Sequence, residues 1–444
     1  MESYWQKTYS LPSFQAAEGD LHTDVLVIGG GLAGLLTAYL IQQDGIRVIV
    51  AEKGRIFSGE SGKTTAKITF QHGLIYHRLA KRYSTETARL YLDANRAAFE
   101  AYKALCADIE CEYETKDNNV YTVDDPAALE KEMTVLQKID FPARFCQSIP
   151  LPMKTSGAVC FPDQAQFHPV KFIAGIASRL DIREYTRVLT IEGSTAITDH
   201  GRIHAKKIIV TTHFPFIDTH GLYFLKLYQH RSYVMALQNA QNVDGMYVDD
   251  SKTGLSFRNT GETLLLGGGD HRTGKQGGNW KELEQFAQTN YPAAREVGRW
   301  AAQDCMSLDE MPYIGQYGRS TPNLYAATGF NKWGVTGSMT AAMVLRDLIL
   351  GRKNEYTSLF SPARSILHPQ LFLNGLESAV SLMTPTPKRC PHLGCALHWN
   401  KTEHSWDCPC HGSRFSEEGK LLDNPANGDL KKISVHEQKG ADGK

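Results

Sequence analysis

Two short turns near the C-terminus concentrate the residues best suited to chemistry: CPHLGC, with Cys390 and His392, and CPCHGS, with Cys408 and His411. Thiolate and imidazole at such spacing are metal ligands, and two of each would satisfy a tetrahedral zinc site. Cys395 and Cys410, one in each turn, are two thiols more than that site needs. They argue against zinc alone and leave the metal open at this point. His398 and His404, between the turns, read as solvated loop residues.

A second constellation stands near the N-terminus. Gly29, Gly31 and Gly34 form G-x-G-x-x-G directly after the apolar run DVLVI, and Glu52 closes the next apolar run. The glycines permit a tight turn and close backbone approach to a pyrophosphate. The helix that follows supplies N–H donors and positive potential, and Glu52 is placed to accept from a ribose hydroxyl while disfavouring a 2′-phosphate. A ligand-free tight turn is the bland reading; strand, helix and acid in sequence make it the weaker one. FAD and NAD share this fingerprint.

These residues need elements to hold them. Residues 24–28, 35–42 and 48–52 read as a β-α-β unit, 86–105 as an amphipathic helix, and 184–212 as two strands around a DHGR turn. Residues 231–269 are rich in strand-like runs that suit an antiparallel sheet over a substrate cavity, and 323–351 pass from a strand through a glycine turn into an Ala-rich helix. The expected architecture is α/β. With 444 residues, two or three domains are expected. Acidic and basic residues balance at 48 each, so neither nucleic acid nor an anionic membrane is expected as partner. The N-terminus MESYWQKTYSLPSF has no basic-then-apolar leader, and no apolar run approaches the ~18 residues of a membrane span. A soluble, cytoplasmic protein is expected, with Cys106, Cys111, Cys146, Cys160 and Cys305 as buried thiols.

The stretch DVLVIGGGLAGLLTAYLIQQDGIRVIVAEKG, the following SGESGKTTAK, REYTRVLTIEG and the late LYAATGFNKWGVTGSMTAA together resemble the FAD-binding elements of the D-amino acid oxidase superfamily, over residues 20–352. The N-terminal SYW adds a looser likeness to its amine-oxidising members. The resemblance implies a Rossmann-like FAD-binding domain, in parts of about 20–75, 155–220 and 305–352, with an interleaved mixed or antiparallel substrate sheet between. It assigns FAD contacts to Gly29, Gly31, Leu32, Ala33, Gly34, Glu52 and Lys53, and puts Ser61, Thr64 and Thr65 near the flavin phosphates or ring. It places the Val188 backbone beside the adenine, and Gly329, Trp333, Gly334, Val335 and Thr336 along the isoalloxazine. Their bland alternatives are a polar surface loop for SGESGKTTAK and a helix-entry turn for 329–337. Hydride transfer to a flavin needs orientation and desolvation more than a dedicated base, so no catalytic residue is assigned. His72, Arg231, His271 and Tyr313 are candidates for substrate contact.

The string CPHLGC…CPCHGS resembles Rieske proteins of the cytochrome bc class. That likeness implies a 2Fe-2S cluster with Cys390 and Cys408 on one iron, His392 and His411 on the other, and a Cys395–Cys410 disulfide bracing the loops. It makes Ser413 the hydroxyl that bonds a bridging sulfide, puts Phe415 where high-potential members carry tyrosine, and identifies Pro425 and Ala426 with the cluster-covering loop. Residues 353–387 read as helix and linker, too short to supply the strands that usually precede the first Cys-x-His loop, so a small, truncated β domain over 388–444 is expected. Together the likenesses imply a two-centre enzyme: a small-molecule donor, an amine or amino acid, reduces FAD, and the cluster passes the electrons to an unidentified acceptor. An oxidase using oxygen without a working cluster, and a non-catalytic electron carrier or redox sensor, are the alternatives.

Overall fold

In a computed structural model of the protein, residues 1–218, 220–250, 254–277 and 279–431 are described. The last thirteen residues of the expected cluster domain, 432–444, therefore lie outside the described residues.

The apolar run at the first glycine turn extends to a strand at Leu21–Ile28, the centre of a parallel array with Val48–Ala51 on one side and Gly201–Val210 on the other. Asp181–Arg183 and Leu324–Thr328 continue the array outward, and Tyr313–Gln316 closes it antiparallel. Strands covered on both faces are continuously apolar, as Val48–Ala51, buried at every position, illustrates. Helices Leu32–Gln43 and Gly334–Leu350 pack against each other beside this sheet, their buried faces built from small residues such as Ala38, Ala341 and Ala342. The helix expected over 86–105 runs Thr85–Asp108, opened by Ser84, whose hydroxyl accepts from the Thr87 N–H at 3.1 Å.

A second, nine-stranded sheet runs mostly antiparallel. Its core is Leu227–Gln238 between Thr263–Arg272 and Arg295–Ser307. Lys67–Ile68 and Gly157–Gln166, which the sequence reading grouped with the flavin-binding parts, are strands of this second sheet. Antiparallel pairing of Gly157–Gln166 with Glu114–Thr122, and of Lys67 and Ile68 with Gln166 and Ala165, holds them there.

The linker contains one long helix, Pro369–Met383, started by a proline and by the His368 side chain, which accepts from the Gln370 N–H. Phe372, Leu373, Leu376, Val380 and Met383 on it are exposed. Beyond it four three-residue strands, His398–Asn400, Ser405–Asp407, Arg414–Ser416 and Leu421–Asp423, form an antiparallel meander. Among the described residues no named strand lies between Gly351 and His398. The second sheet supports the unit from outside. Arg272, at the end of its strand, donates to the backbone oxygens of Pro409 (2.9 Å) and Cys410 (3.2 Å). Arg231, with 1 % of its surface exposed, forms a two-pronged ion pair with Glu403, which Arg414 also contacts at 2.9 Å.

Candidate functional site: a dinucleotide cavity walled by a cysteine–histidine unit

A cavity of about 850 Å³ opens where the first glycine turn leaves the parallel sheet. Gly29 sits at φ +113°, and a Cβ on Gly34 would lie 1.9 Å from the Gly29 carbonyl oxygen, so only glycine lets helix and strand approach this closely. The Glu52 carboxylate accepts from the N–H groups of Gly30 (2.7 Å) and Gly54 (2.9 Å), which fixes it at the cavity edge. Ser61 Oγ accepts from the Leu32 N–H at 2.9 Å and ties the polar loop onto the helix start. This is the concave, glycine-walled shape that a dinucleotide fills.

Of the residues expected to meet the cofactor, Gly29, Gly31, Leu32, Ala33, Glu52, Lys53, Ser61, Thr64, Thr65, Val188, Trp333, Gly334, Val335 and Thr336 line this cavity. Gly34 and Gly329 stand outside the lining; Gly329, at φ +72°, shapes the turn into the helix Gly334–Leu350. Of the four substrate-contact candidates only His72 reaches the cavity. Its ring stacks on Trp333 at 5.0 Å and is held between the Tyr91 hydroxyl (2.7 Å) and the Thr69 carbonyl (2.9 Å). Burial pushes its pKa down to about 3, so it is a neutral wall. Arg231 instead pairs with Glu403 of the C-terminal unit, because a buried guanidinium needs a carboxylate and the nearest comes from there. His271 bonds the Tyr233 hydroxyl at 3.1 Å, and Tyr313 lies in the core beneath the Arg364 guanidinium.

Sequence reading missed Lys67, buried on the cavity wall with its pKa lowered to about 7 by burial and by the Arg258 charge. It also missed that Leu421, Leu422, Asp423, Asn424, Ala426 and Asn427 of the C-terminal unit line the same cavity. No local pattern announces either; both depend on which strands become neighbours.

The two cysteine–histidine turns meet at one end of that unit. Cys390, Cys395, Cys408 and Cys410 are all buried, and the sulfurs of Cys395, Cys408 and Cys410 lie within 4.8 Å of one another. Cys395 and Cys410 are free thiols here, so the expected disulfide is not formed although its partners are brought together. The Cys390 sulfur accepts from Cys408, from the His392 N–H and from the Ser413 hydroxyl, which together outweigh burial and lower its pKa to about 7. The His392 and His411 rings stand 5.0 Å apart and perpendicular. In each, Nδ1 is buried with no hydrogen-bond partner, an arrangement that costs energy unless a ligand takes the lone pair. Two buried thiols and two orphaned imidazole nitrogens converging at one place fit a cluster with two Cys and two His ligands. His398 bonds the Gly274 carbonyl at 2.7 Å, so it is a docking residue and not a free loop histidine.

One amide joins cavity and turns. Gln229 Oε1 accepts from His213 Nε2 (2.9 Å) and Gln303 Nε2 (2.7 Å), both cavity residues, while its Nε2 donates to the carbonyls of His411 (2.7 Å) and Asn424 (3.1 Å). Gly412, at φ +82°, lets the cluster turn sit on it: a Cβ there would lie 2.6 Å from Gln229 Cβ.

Comparison with known proteins agrees with both halves. The family model "FAD dependent oxidoreductase" matches residues 24–348, and the model "Rieske [2Fe-2S] domain" matches residues 384–434. A protein of Bacillus subtilis (strain 168), "Putative Rieske 2Fe-2S iron-sulfur protein YhfW", is 32% identical over 98% of both chains. The cytochrome b6-f complex iron-sulfur subunit 2 of a Nostoc species is 46% identical over 20% of this chain and 43% of its own. Among solved structures, L-proline dehydrogenase from P. horikoshii (TM-score 0.66, 16% identity) covers 78% of this chain and 98% of its own. Glycine oxidase from Geobacillus kaustophilus (TM-score 0.65, 18% identity) covers 78% and 99%. The chain thus belongs to the FAD-dependent oxidoreductases of the D-amino acid oxidase superfamily, binds FAD, and carries a C-terminal Rieske domain that binds a 2Fe-2S cluster.

Proposed function

We propose that this enzyme oxidises a small amine or amino acid and passes the electrons through its own cluster to a one-electron acceptor. The observation that carries this reading is the shared wall: Leu421 to Asn424, Ala426 and Asn427 of the Rieske domain line the flavin cavity, and Gln229 bonds cavity residues and cluster turn at once. Bound FAD supplies a hydride acceptor for a carbon bearing nitrogen, and the Rieske cluster supplies a one-electron relay.

The chain's own residues do the rest. Backbone at the first glycine turn takes the pyrophosphate, Glu52 faces a ribose hydroxyl, and the Val188 backbone faces the adenine. Trp333 to Thr336 flank the ring, with His72 stacked behind Trp333 to hold it flat and dry. On the cavity wall Asp250, Asp270, Asp304 and Glu310 bring carboxylates alongside Lys67, Arg78 and Lys332. Asp270 is engaged by Lys332 at 2.8 Å and by His230, and Asp304 accepts from Ser232 at 2.9 Å. Arg78 pairs with Glu310 at 2.9 Å, so the wall presents both signs of charge, which supports a small donor carrying an amino group and a carboxylate. A cavity that continues past the glycine turn to Asp250, Asp270 and Asp304 supports a substrate enzyme over a carrier with an exposed flavin edge. Cys390, His392, Cys408 and His411 hold the cluster, and the free thiols of Cys395 and Cys410 lie beside it.

Anaerobic rapid mixing with amines and amino acids tests this reading. Bleaching of the flavin bands followed by cluster reduction in the same chain is expected. Flavin reduction without cluster reduction, with peroxide released in air, would replace it with a simple oxidase.

A further inference from the structure

The histidine edge of the cluster site is covered by this chain's own flavin-binding part. The outer nitrogen of His392, Nε2, donates to Asp218 Oδ1 at 3.1 Å, and the His392 side chain is only 3% exposed. The Phe224 ring stands edge-on to His411 at 6.4 Å. Phe214 stands edge-on to both rings, at 6.4 Å from His392 and 6.3 Å from His411. Thr211, Thr212, His213 and Phe216 of the same segment line the flavin cavity. One stretch of chain thus touches the cavity with some residues and both histidines with others.

We propose that Asp218 is a positioning residue for the cluster, its carboxylate fixing the His392 ring through Nε2–H so that Nδ1 faces iron. Phe214, Asp218 and Phe224 thereby make the histidine edge an internal face turned to the flavin instead of a landing site for another protein. This rests on the reading of the C-terminal unit as a working Rieske centre. A carboxylate on the far nitrogen of a ligand imidazole fixes its tautomer and orientation and strengthens it as a donor. Its negative charge also favours the oxidised, more positive cluster, so the potential sits lower than it would beside a neutral partner. Phe214 and Phe224 exclude water from the same edge, which keeps that charge effective although Asp218 itself is 37% exposed.

The test uses the full-length holoprotein with three substitutions: Asp218→Asn, which keeps shape and removes charge; Asp218→Glu, which keeps charge; and Asp181→Asn, on the far edge strand of the parallel sheet, as control. Iron and FAD per chain, the EPR g-values of dithionite-reduced protein and the cluster midpoint potential at one fixed pH are read for each. Asp218→Asn should keep FAD, shift the g-values and raise the midpoint, while Asp218→Glu stays near the parent and Asp181→Asn is unchanged. Loss of iron from Asp218→Asn with retention in Asp218→Glu would also bear the proposal out. Parental g-values and midpoint in Asp218→Asn would overturn it, as would iron loss from both Asp218 variants, which would make Asp218 a residue of the loop's fold. A parent protein that holds FAD but no iron would instead overturn the two-centre reading itself.

Discussion

The orphaned Nδ1 atoms of His392 and His411 are the sharpest statement the structure makes at the scale of single residues, because a buried imidazole nitrogen without a partner is stable only when something outside the chain completes it. Cys408→Ser and His411→Ala should therefore lose iron while retaining FAD, read by metal assay and visible absorbance on one sample. At the other site, Gly34→Val places a side chain against the Gly29 carbonyl, where even a Cβ would lie 1.9 Å away. Overpacking of this kind typically costs about 1–3 kcal/mol, and here it also displaces the turn that cradles the cofactor. Flavin content after gel filtration should fall to a small fraction of the parent's. Both sites were legible in the sequence because their chemistry is local: two turns with close spacing, and one glycine turn between a strand and a helix. Lys67 and Gln229 were not, because nothing in TAKITF or LYQHRS distinguishes a strand residue at a cavity from one at a surface.

Elements were legible in the same measure as their periodicity. The β-α-β unit, the long helix from Thr85 and the late strand-to-helix turn are all present, since each carries a continuous apolar run or a helical repeat. The assignment of strands to sheets was less legible, as Lys67–Ile68 and Gly157–Gln166 show, because pairing is decided by register with distant partners. So was the meaning of Arg231, whose partner Glu403 lies 172 positions away in the chain. That pair sets a pH dependence. Burial pushes the Glu403 carboxyl up, but the Arg231 and Arg414 guanidinium groups outweigh it and hold the pKa at about 2, below the ordinary 4.5. A depressed carboxyl stabilises the folded state fully above its unfolded pKa, and the gain is lost as pH falls from about 4.5 toward 2. The difference amounts to about 3 kcal/mol. Urea unfolding of the wild type followed by tryptophan fluorescence should show a lower midpoint at pH 3 than at pH 5. In Glu403→Gln the midpoint should already be lowered at pH 7, by about 3–5 kcal/mol of stability, because two buried arginines lose their counter-charge.

For the whole molecule, the support that the second sheet gives the Rieske domain is the feature that organises the rest. A cluster unit of four three-residue strands buries only a small core, built on Leu397, Phe415, Ala426 and its four cysteines, and it is held also by what the flavin domain presents: Arg272 on the Pro409 and Cys410 carbonyls, Arg231 on Glu403, and Gln229 on His411 and Asn424. The sequence showed the shortage but not the remedy, since the compensating residues are scattered over Leu227–Gln238 and Thr263–Arg272. In return the cluster unit closes one wall of the flavin cavity, so the two cofactors share one structural unit. Their losses should then coincide: on heating, flavin fluorescence release and bleaching of the cluster bands should trace a single transition with one midpoint. Gln229→Leu separates them, because it strips the partners from the His411 and Asn424 carbonyls and from Gln303, each unsatisfied buried group costing about 1–3 kcal/mol. The cluster bands should bleach at a lower temperature than flavin is released in that variant, whereas Gln316→Leu, an exposed amide on the opposite edge of the parallel sheet, should leave the two curves superimposed. Separate transitions in the wild type would mean that the Rieske domain holds its cluster without the flavin domain's support.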